Sequence, residues 1–372
     1  MIKVLFLIHD LGQGGAEKVM VNLVNNMDST KYDITVMTLF GGGVNEQFLL
    51  PHIKRCSVFK KAFPANSKIM KLFTPTFLHK FCIKEHYDVE ISYLEGPSAR
   101  IISGCPNKDT KLVSWIHCTM RSEDDVANGF RSYKEANLCY NKFDFTAFVS
   151  QGVRDAFTKF SEYRGKTRVL YNTIESDVIV SKSKEKVDNL DSDVTKIVAT
   201  GTLKQVKGFD RLLRIAKKLK EDHIRFHLYI LGRGPMQNEL AEYITSNNLD
   251  DFVSLLGYDT NPYKYVSKCD LFVCSSYSEG FSTAATEALI VGTPVITTEV
   301  SGMKEMLGEN NEYGIVTENS EEALYKSIKR LLTTPNMLED YAKRAKERSC
   351  YFSKDITTRE VEKSISELIG DI

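Results

Sequence analysis

Two carboxylates eight positions apart, Glu279 and Glu287, stand in the run Ser275-Ser276-Tyr277-Ser278-Glu279-Gly280-Phe281-Ser282-Thr283-Ala284-Ala285-Thr286-Glu287. Glu287 could accept paired hydrogen bonds from the two hydroxyls of a ribose. The amides of residues 281–283, at a helix entrance, could bind phosphate oxygens, because the first turn of a helix has donors without intrahelical acceptors. Taken singly, each is more ordinary: Glu279 as an acid favoured by the helix dipole, Glu287 as a surface glutamate. In Gly201-Thr202-Leu203-Lys204-Gln205-Val206-Lys207-Gly208, Lys207 could meet a diphosphate as a point charge, although an isolated loop lysine is usually solvated. The turn Gly12-Gln13-Gly14-Gly15-Ala16-Glu17 allows close backbone approach to an anion, or is simply a glycine turn. It fails the G-x-G-x-x-G dinucleotide pattern at Glu17, which disfavours a dehydrogenase. His117 ends a strand and would aim a polar ring into a ligand cleft, or be a capped strand-end histidine.

The elements that must position these residues follow from hydrophobic period. Short β-branched runs at Val4–Ile8, Ile34–Leu39, Val89–Tyr93, Leu112–Ile116 and Phe145–Val149 predict strands in the first half. Runs at Ile197–Thr200, Phe226–Leu231, Val253–Leu256, Leu271–Cys274 and Pro294–Thr298 do so in the second. Helical periods follow at about 209–220, 235–247, 283–292, 320–333, 337–349 and 357–369. Strand–helix alternation predicts an α/β fold of two Rossmann-like domains, with parallel sheets facing across a cleft.

The chain has 372 residues, 42% of them hydrophobic and 26% charged, a composition that excludes disordered and fibrous classes. Its formal net charge of +0 conceals an asymmetry: residues 1–172 carry 23 basic and 17 acidic side chains, residues 173–372 carry 26 and 32. The expected division is an N-terminal domain over 1–172, a linker over 173–195, a C-terminal domain over 196–352, and a final segment, 353–372, crossing back to the first domain. The eight cysteines form no C-x-x-C pair and no metal-like cluster with histidine, and read as buried reduced thiols. No apolar run reaches the length of a signal sequence or a membrane span, so the cytoplasm is the expected compartment.

The set Gly14-Gly15-Ala16-Glu17, Gly201…Lys207-Gly208, Leu231-Gly232-Arg233-Gly234-Pro235, Ser278-Glu279-Gly280-Phe281…Glu287-Ala288 and Gly292-Thr293-Pro294-Val295-Ile296 resembles glycosyltransferase family 4, retaining enzymes of the GT-B fold. Tyr93-Leu94-Glu95-Gly96 and Ser301-Gly302-Met303-Lys304-Glu305 resemble the branch that builds bacterial capsule and related surface polysaccharides. The resemblance implies that Glu287 holds the donor ribose and that Glu279 faces the transferred sugar. Lys207 and the loop Gly280, Phe281, Ser282 and Thr283 would neutralise the diphosphate. His117 would contact the donor sugar near its reacting end, Arg233 and Tyr258 would lie beside the base, and Gly15 would line the donor phosphate. Gly14 and Glu95 would lie on the acceptor side. Thr202 replaces the arginine that many members carry, and Lys204 is the candidate to supply the missing charge. The implied donor is a nucleotide sugar, UDP-linked by family precedent, with no cofactor and no metal. No D-x-D stands at the C-terminal end of a strand.

Residues 51–84 contain no acid and eight basic side chains: Lys54, Arg55, Lys60, Lys61, Lys68, Lys71, Lys80 and Lys84. Phe59, Phe63, Ile69, Met70, Leu72, Phe73, Phe77, Leu78 and Phe81 interleave them, at roughly helical spacing from Lys68 to Lys84. Such a stretch fits an interfacial helix on an anionic bilayer. A single-stranded nucleic acid is the rival occupant, and a helix packed on the sheet with its lysines in water is the plain alternative. The resemblance favours the membrane over nucleic acid, with a lipid-linked saccharide acceptor and a peripheral position on the inner face of the plasma membrane. Two other functions fit the pattern less well: a sugar-nucleotide epimerase of the same architecture, and a non-catalytic sugar-binding protein.

Overall fold

The computed structural model describes residues 1–12, 14–187, 190 and 193–370. The chain forms two compact units, one of Met1–Ile174 with the C-terminal segment from Lys354, the other of Glu175–Ser353. The first unit holds seven strands: β1 Ile2–Ile8, β2 Tyr32–Phe40, β3 Lys54–Phe59, β4 Val89–Ser92, β5 Lys111–Ile116, β6 Phe145–Phe148 and β7 Lys166–Val169. The second holds six: β8 Thr195–Thr200, β9 Phe226–Leu231, β10 Val253–Gly257, β11 Leu271–Cys274, β12 Val295–Thr298 and β13 Ile315–Thr317. All pairings are parallel, in the orders β3-β2-β1-β4-β5-β6-β7 and β10-β9-β8-β11-β12-β13.

Each order reverses once, between β1 and β4 and between β8 and β11. At such a switch point the loops leaving neighbouring strands diverge and open a crevice at the C-terminal edge of the sheet. Every candidate site residue lies on or just after a loop leaving that edge. Central strands are buried on both faces, as in β1, where Val4 to Ile8 are fully covered. In the second unit, Leu212, Leu213, Ile215 and Ala216 of the helix Phe209–Glu221 join Ile197, Leu228 and Ile230 of the sheet in one core.

The strands absent from the sequence reading, β3, β7 and β13, are all sheet edges. β3 (KRCSVF) and β7 (KTRV) are mostly solvated and carry lysine and arginine, so neither has the apolar run that marks a central strand. The stretch 173–195, expected as a linker, contains the helix Ser176–Ser183, whose Ile179 and Ser183 are buried in the second unit. Its residues 188, 189, 191 and 192 lie outside the described residues, as does Gln13 of the first glycine turn. The helix Lys354–Ile369 belongs to the first unit. There Glu362 accepts from Asp28 N at 2.7 Å, Ser366 Oγ from Lys31 Nζ at 2.8 Å, and Glu367 pairs with Arg168 at 2.6 Å.

Two further expectations are corrected. The span 68–84 is not one helix. Helix Asn66–Met70 ends, and helix Pro75–Cys82 restarts with Thr74 as N-cap, its hydroxyl accepting from Phe77 N at 3.2 Å. Proline suits a first helical turn and disfavours helix in the residue before it, so the continuous period gives way to a break. The cysteines are all free, but only Cys139, Cys269 and Cys274 are buried, whereas Cys56, Cys118 and Cys350 are exposed. No helix among the described residues is long and apolar enough to cross a membrane.

Candidate active site

In the second unit, β8 runs into the loop 201–208, which turns through Gln205–Lys207 into the helix Phe209–Glu221. Gly208 adopts φ +66°, and a Cβ there would lie 2.0 Å from Ser275 O. Only glycine lets this turn pack against the loop that leaves β11. The two loops are joined further by Tyr277 N donating to Val206 O at 2.8 Å and Ser275 Oγ donating to Lys207 O at 3.1 Å. Lys207 is thereby placed beside Glu279, with Nζ 2.6 Å from Oε1. Burial of the ammonium opposes its charge, but the Glu279 carboxylate outweighs this and raises the lysine pKa. Ser276 Oγ donates to the same carboxylate oxygen at 2.6 Å, and Thr298 Oγ1 fixes the Ser276 carbonyl at 2.6 Å.

Helix Thr283–Ile290 begins immediately downstream, with Ser282 as N-cap and its Oγ accepting from Ala285 N at 3.3 Å. The Ser282 oxygen is therefore engaged in capping. Phe281 is buried with its ring 5.8 Å from Phe352, so its side chain belongs to the core. Gly280 and Thr283 are partly exposed on either side of it. Glu287, one turn into the helix, accepts from Tyr263 Oη at 3.2 Å. Arg233 follows β9 and Tyr258 follows β10; the guanidinium lies 4.4 Å from the centre of the Tyr258 ring, and that ring is half exposed. Lys204 and Thr202 are both exposed on the loop after β8.

In the first unit, Gly14 caps the helix Gly15–Asn26 and both glycines are exposed. A Cβ on Gly14 would strike the Glu17 carboxylate, which folds back against the helix entrance. Asn45 donates to Gly12 O and pins the preceding turn. Glu95, in the loop after β4, accepts from His117 N at 2.9 Å and so ties the exits of β4 and β5 together. The His117 ring is buried, which holds its pKa down to about 3 and keeps the imidazole neutral. It lies 4.8 Å from Tyr93 and 6.0 Å from Trp115, centre to centre. Tyr93 Oη, Trp115 Nε1 and His117 Nε2 are all buried without a hydrogen-bond partner in the protein. Buried polar groups need partners, so this aromatic cluster is the natural seat of ordered water or of a ligand hydroxyl.

Sequence reasoning missed Tyr263 and Ser276. Ser276 stood inside the motif and could have been found there; Tyr263 lies on a separate helix, 24 positions from Glu287, with no local signal. Away from this site the fold gathers His79, Glu90 and Cys105, with one ligand atom from each within 4.8 Å of the others, a grouping that sequence spacing does not show. Glu90 is at the N-terminal end of β4, the edge opposite the site, and pairs with His79 Nε2 at 2.8 Å. Burial disfavours protonation of His79, but hydrogen bonds to Cys105 and Glu90 prevail and push its pKa up to about 9.

Two family models match in tandem: glycosyltransferase family 4 over residues 13–178 and glycosyl transferases group 1 over residues 180–348. The chain is 30% identical, over 95% of its length and 96% of the relative's, to the N-acetylgalactosamine-N,N'-diacetylbacillosaminyl-diphospho-undecaprenol 4-alpha-N-acetylgalactosaminyltransferase of Campylobacter jejuni. Among solved structures it is similar to the sucrose-phosphate synthase of Thermosynechococcus elongatus, with TM-score 0.82, 17% identity and full coverage (100%) of both chains. It is also similar to Anabaena HepE in complex with UDP and glucose, with TM-score 0.76, 18% identity, 98% of this chain and 100% of that one. Tandem family models, a relative matched end to end and the paired parallel sheets agree: the chain belongs to glycosyltransferase family 4 and is a glycosyltransferase of the GT-B fold.

Proposed function

We propose that this enzyme transfers a sugar, with retention of configuration, from a UDP-sugar to a lipid-linked saccharide diphosphate at the inner face of the bacterial plasma membrane, in surface polysaccharide synthesis. The observation that carries the reading is the gathering of Lys207, Glu279, the first turn of the helix Thr283–Ile290 and the Tyr263-held Glu287 on one sheet edge. A nucleoside diphosphate presents a doubly charged leaving group and a vicinal diol. A cation with helix-entrance amides answers the first, and a carboxylate answers the second. The UDP complex of HepE supports uracil as the base, and the diphospho-undecaprenol in the name of the Campylobacter relative supports the acceptor class. The acid-free segment 54–84 supports attachment to an anionic surface.

In this reading the bond from sugar C1 to the β-phosphate oxygen breaks while the acceptor hydroxyl attacks C1 from the same face. The departing phosphate oxygen takes the acceptor proton. Lys207 and the amides of Ser282 and Thr283 stabilise the charge that builds on the diphosphate, as preorganised donors do at an oxyanion. Glu279 faces the sugar, where its carboxylate favours oxocarbenium character. His117 is neutral, and its buried Nε2 can bind a hydroxyl. No metal is required, because Lys207 and fixed dipoles neutralise the leaving group.

The test is a thermal-shift panel of nucleotide sugars, followed by incubation of the stabilising donor with an undecaprenyl-diphosphate-linked saccharide. Stabilisation by a UDP-sugar that disappears in Glu287→Ala, then an elongated lipid-linked product of retained configuration, is expected. Equal stabilisation of the variant removes Glu287 from the donor site. Release of free epimerised nucleotide sugar without acceptor overturns the transfer reading.

A further inference from the structure

Arg100, on the helix Pro97–Ile102, is only 1% exposed, yet it does not face the sheet edge that carries His117 and Glu95. Its guanidinium holds both Glu135 oxygens, Nε to Oε2 and Nη2 to Oε1, each at 3.0 Å. Its remaining donors reach Met70 O at 2.9 Å and Phe73 O at 2.6 Å. Arg131, whose own amide donates to Glu135 at 2.7 Å, reaches Lys71 O at 2.5 Å and Leu72 O at 2.9 Å. Four consecutive carbonyls, 70 to 73, thus accept from two arginines braced by one carboxylate. The clamp thus holds the turn that follows the helix Asn66–Met70, whose own last carbonyls already accept the amides of residues 71–73. It does so with a deeply buried arginine, which is costly unless fully paired.

What the clamp holds out is apolar. Leu72 is 75% exposed, Ile69, Phe73, Phe77 and Phe81 between 40% and 50%. The rings of Phe73 and Phe77 stack at 4.9 Å and those of Phe77 and Phe81 at 6.4 Å, a ladder at four-residue spacing leading away from the Leu72 tip. The opposite face of the same helix, Leu78 and His79, is buried. The two arginines hold the backbone on both sides of Leu72 while its side chain stands in solvent. Lys54 and Arg55 are paired with Asp33 and Glu46, but Lys68, Lys71, Lys80 and Lys84 alternate in sequence with these apolar residues, and Lys84 lies over the Phe81 ring at 5.7 Å. Lysines beside an exposed apolar tip match a leaflet of anionic headgroups over acyl chains, since long lysine stems reach headgroups while their methylenes stay on the apolar face.

We infer that Leu72 and Phe73, continued by Phe77 and Phe81, form a preshaped wedge that enters an anionic leaflet, and that the Arg100–Glu135–Arg131 clamp is the positioning device that fixes it. This rests on the membrane attachment proposed above, and goes beyond it by assigning the inserted residues and their mount.

Flotation with phosphatidylcholine vesicles containing one-quarter phosphatidylglycerol tests it, using the full chain, Leu72→Ser, Arg131→Lys, and the pair Lys68→Ala with Lys80→Ala. Leu72→Ser is expected to lower partitioning about tenfold with an unchanged thermal midpoint, the scale of losing most of one buried leucine. Arg131→Lys replaces a fork of two nitrogens with a single ammonium, and is expected to lower partitioning several-fold while speeding hydrogen exchange of the 70–74 amides. If both variants partition like the parent while the double lysine variant does not, attachment is purely electrostatic and the wedge is wrong. If Arg131→Lys frees the 70–74 amides without weakening partitioning, the clamp has no part in attachment. If the parent itself fails to float at low salt, the membrane attachment falls and the wedge with it.

Discussion

The ammonium of Lys207 stands 2.6 Å from Glu279 Oε1, the same oxygen that accepts from Ser276 Oγ at 2.6 Å. The cation expected at the leaving group is here paired with the acid expected at the sugar. A diphosphate bound at Lys207 would compete with Glu279 for the same ammonium. Glu279→Gln removes the competing charge, so UDP alone is expected to bind at least as tightly, whereas transfer falls by about 10²-fold or more, the usual loss when one preorganised electrostatic group is removed. Lys207→Ala is expected to weaken both. Calorimetry with UDP beside steady-state transfer separates the two; equal loss of UDP affinity in both variants would contradict the exchange.

Tyr263 Oη is the donor that orients Glu287, at 3.2 Å. Tyr263→Phe leaves the carboxylate in place but removes one donor that orients it, and is expected to raise the donor Kd several-fold with little change in kcat. Glu287→Ala loses two charge-assisted bonds to the ribose, expected at about 10- to 100-fold in Kd. A deoxyribose donor analogue should show a smaller penalty in Glu287→Ala than in the parent.

Two buried histidines give stability opposite pH dependences. Burial holds His117 at about 3 in the folded state, against about 6.5 in an unfolded chain, so its contribution is complete above 6.5 and is lost as pH falls through that window. At pH 5 the loss is about 2 kcal/mol. His79, at about 9 beside Cys105 and Glu90, contributes fully below 6.5 and loses its contribution as pH rises towards and through 9. Urea midpoints from pH 4.5 to 9.5 should fall at both ends, with His117→Gln flattening the acid limb and His79→Gln the alkaline one. A midpoint independent of pH below 6 would contradict the buried neutral assignment of His117.

Gly208→Ala is expected to destabilise the protein by about 2 kcal/mol or more, because φ +66° disfavours a side chain and the Ser275 carbonyl fills the space a Cβ needs. Lys207→Ala, next to it, leaves the turn unstrained and removes one ion pair, and should cost less than Gly208→Ala. Denaturant titration of the two variants distinguishes a loop that glycine must shape from a lysine kept for its charge.

Much of the site was legible because its parts are local. Glu279 and Glu287 share one strand–loop–helix segment, Lys207 and Gly208 share another, and the glycine motifs announce the turns that bring strands to their C-terminal edge. The edge strand β3 was illegible, since its Lys54-Arg55-Cys56-Ser57 half faces water and shows no apolar alternation. The break before Pro75 was written in Thr74-Pro75, an N-cap beside a first-turn proline, but the period from Lys68 to Lys84 outweighed it in the reading. Tyr263 and the Arg100–Glu135–Arg131 clamp carried no signal, because each is defined by partners many positions away.

The sequence by itself determined the alternation of strands and helices, the order of the motifs and the chemistry available at each loop. These depend on period, turn residues and side-chain type, all set within a few residues. Only the tertiary structure decided which groups meet: Lys207 with Glu279, Tyr263 with Glu287, Glu95 with the His117 amide, and four carbonyls at 70–73 with two arginines. Parallel strands join segments distant in the chain, so the partner of a side chain on one loop is chosen by sheet order, which no local pattern encodes.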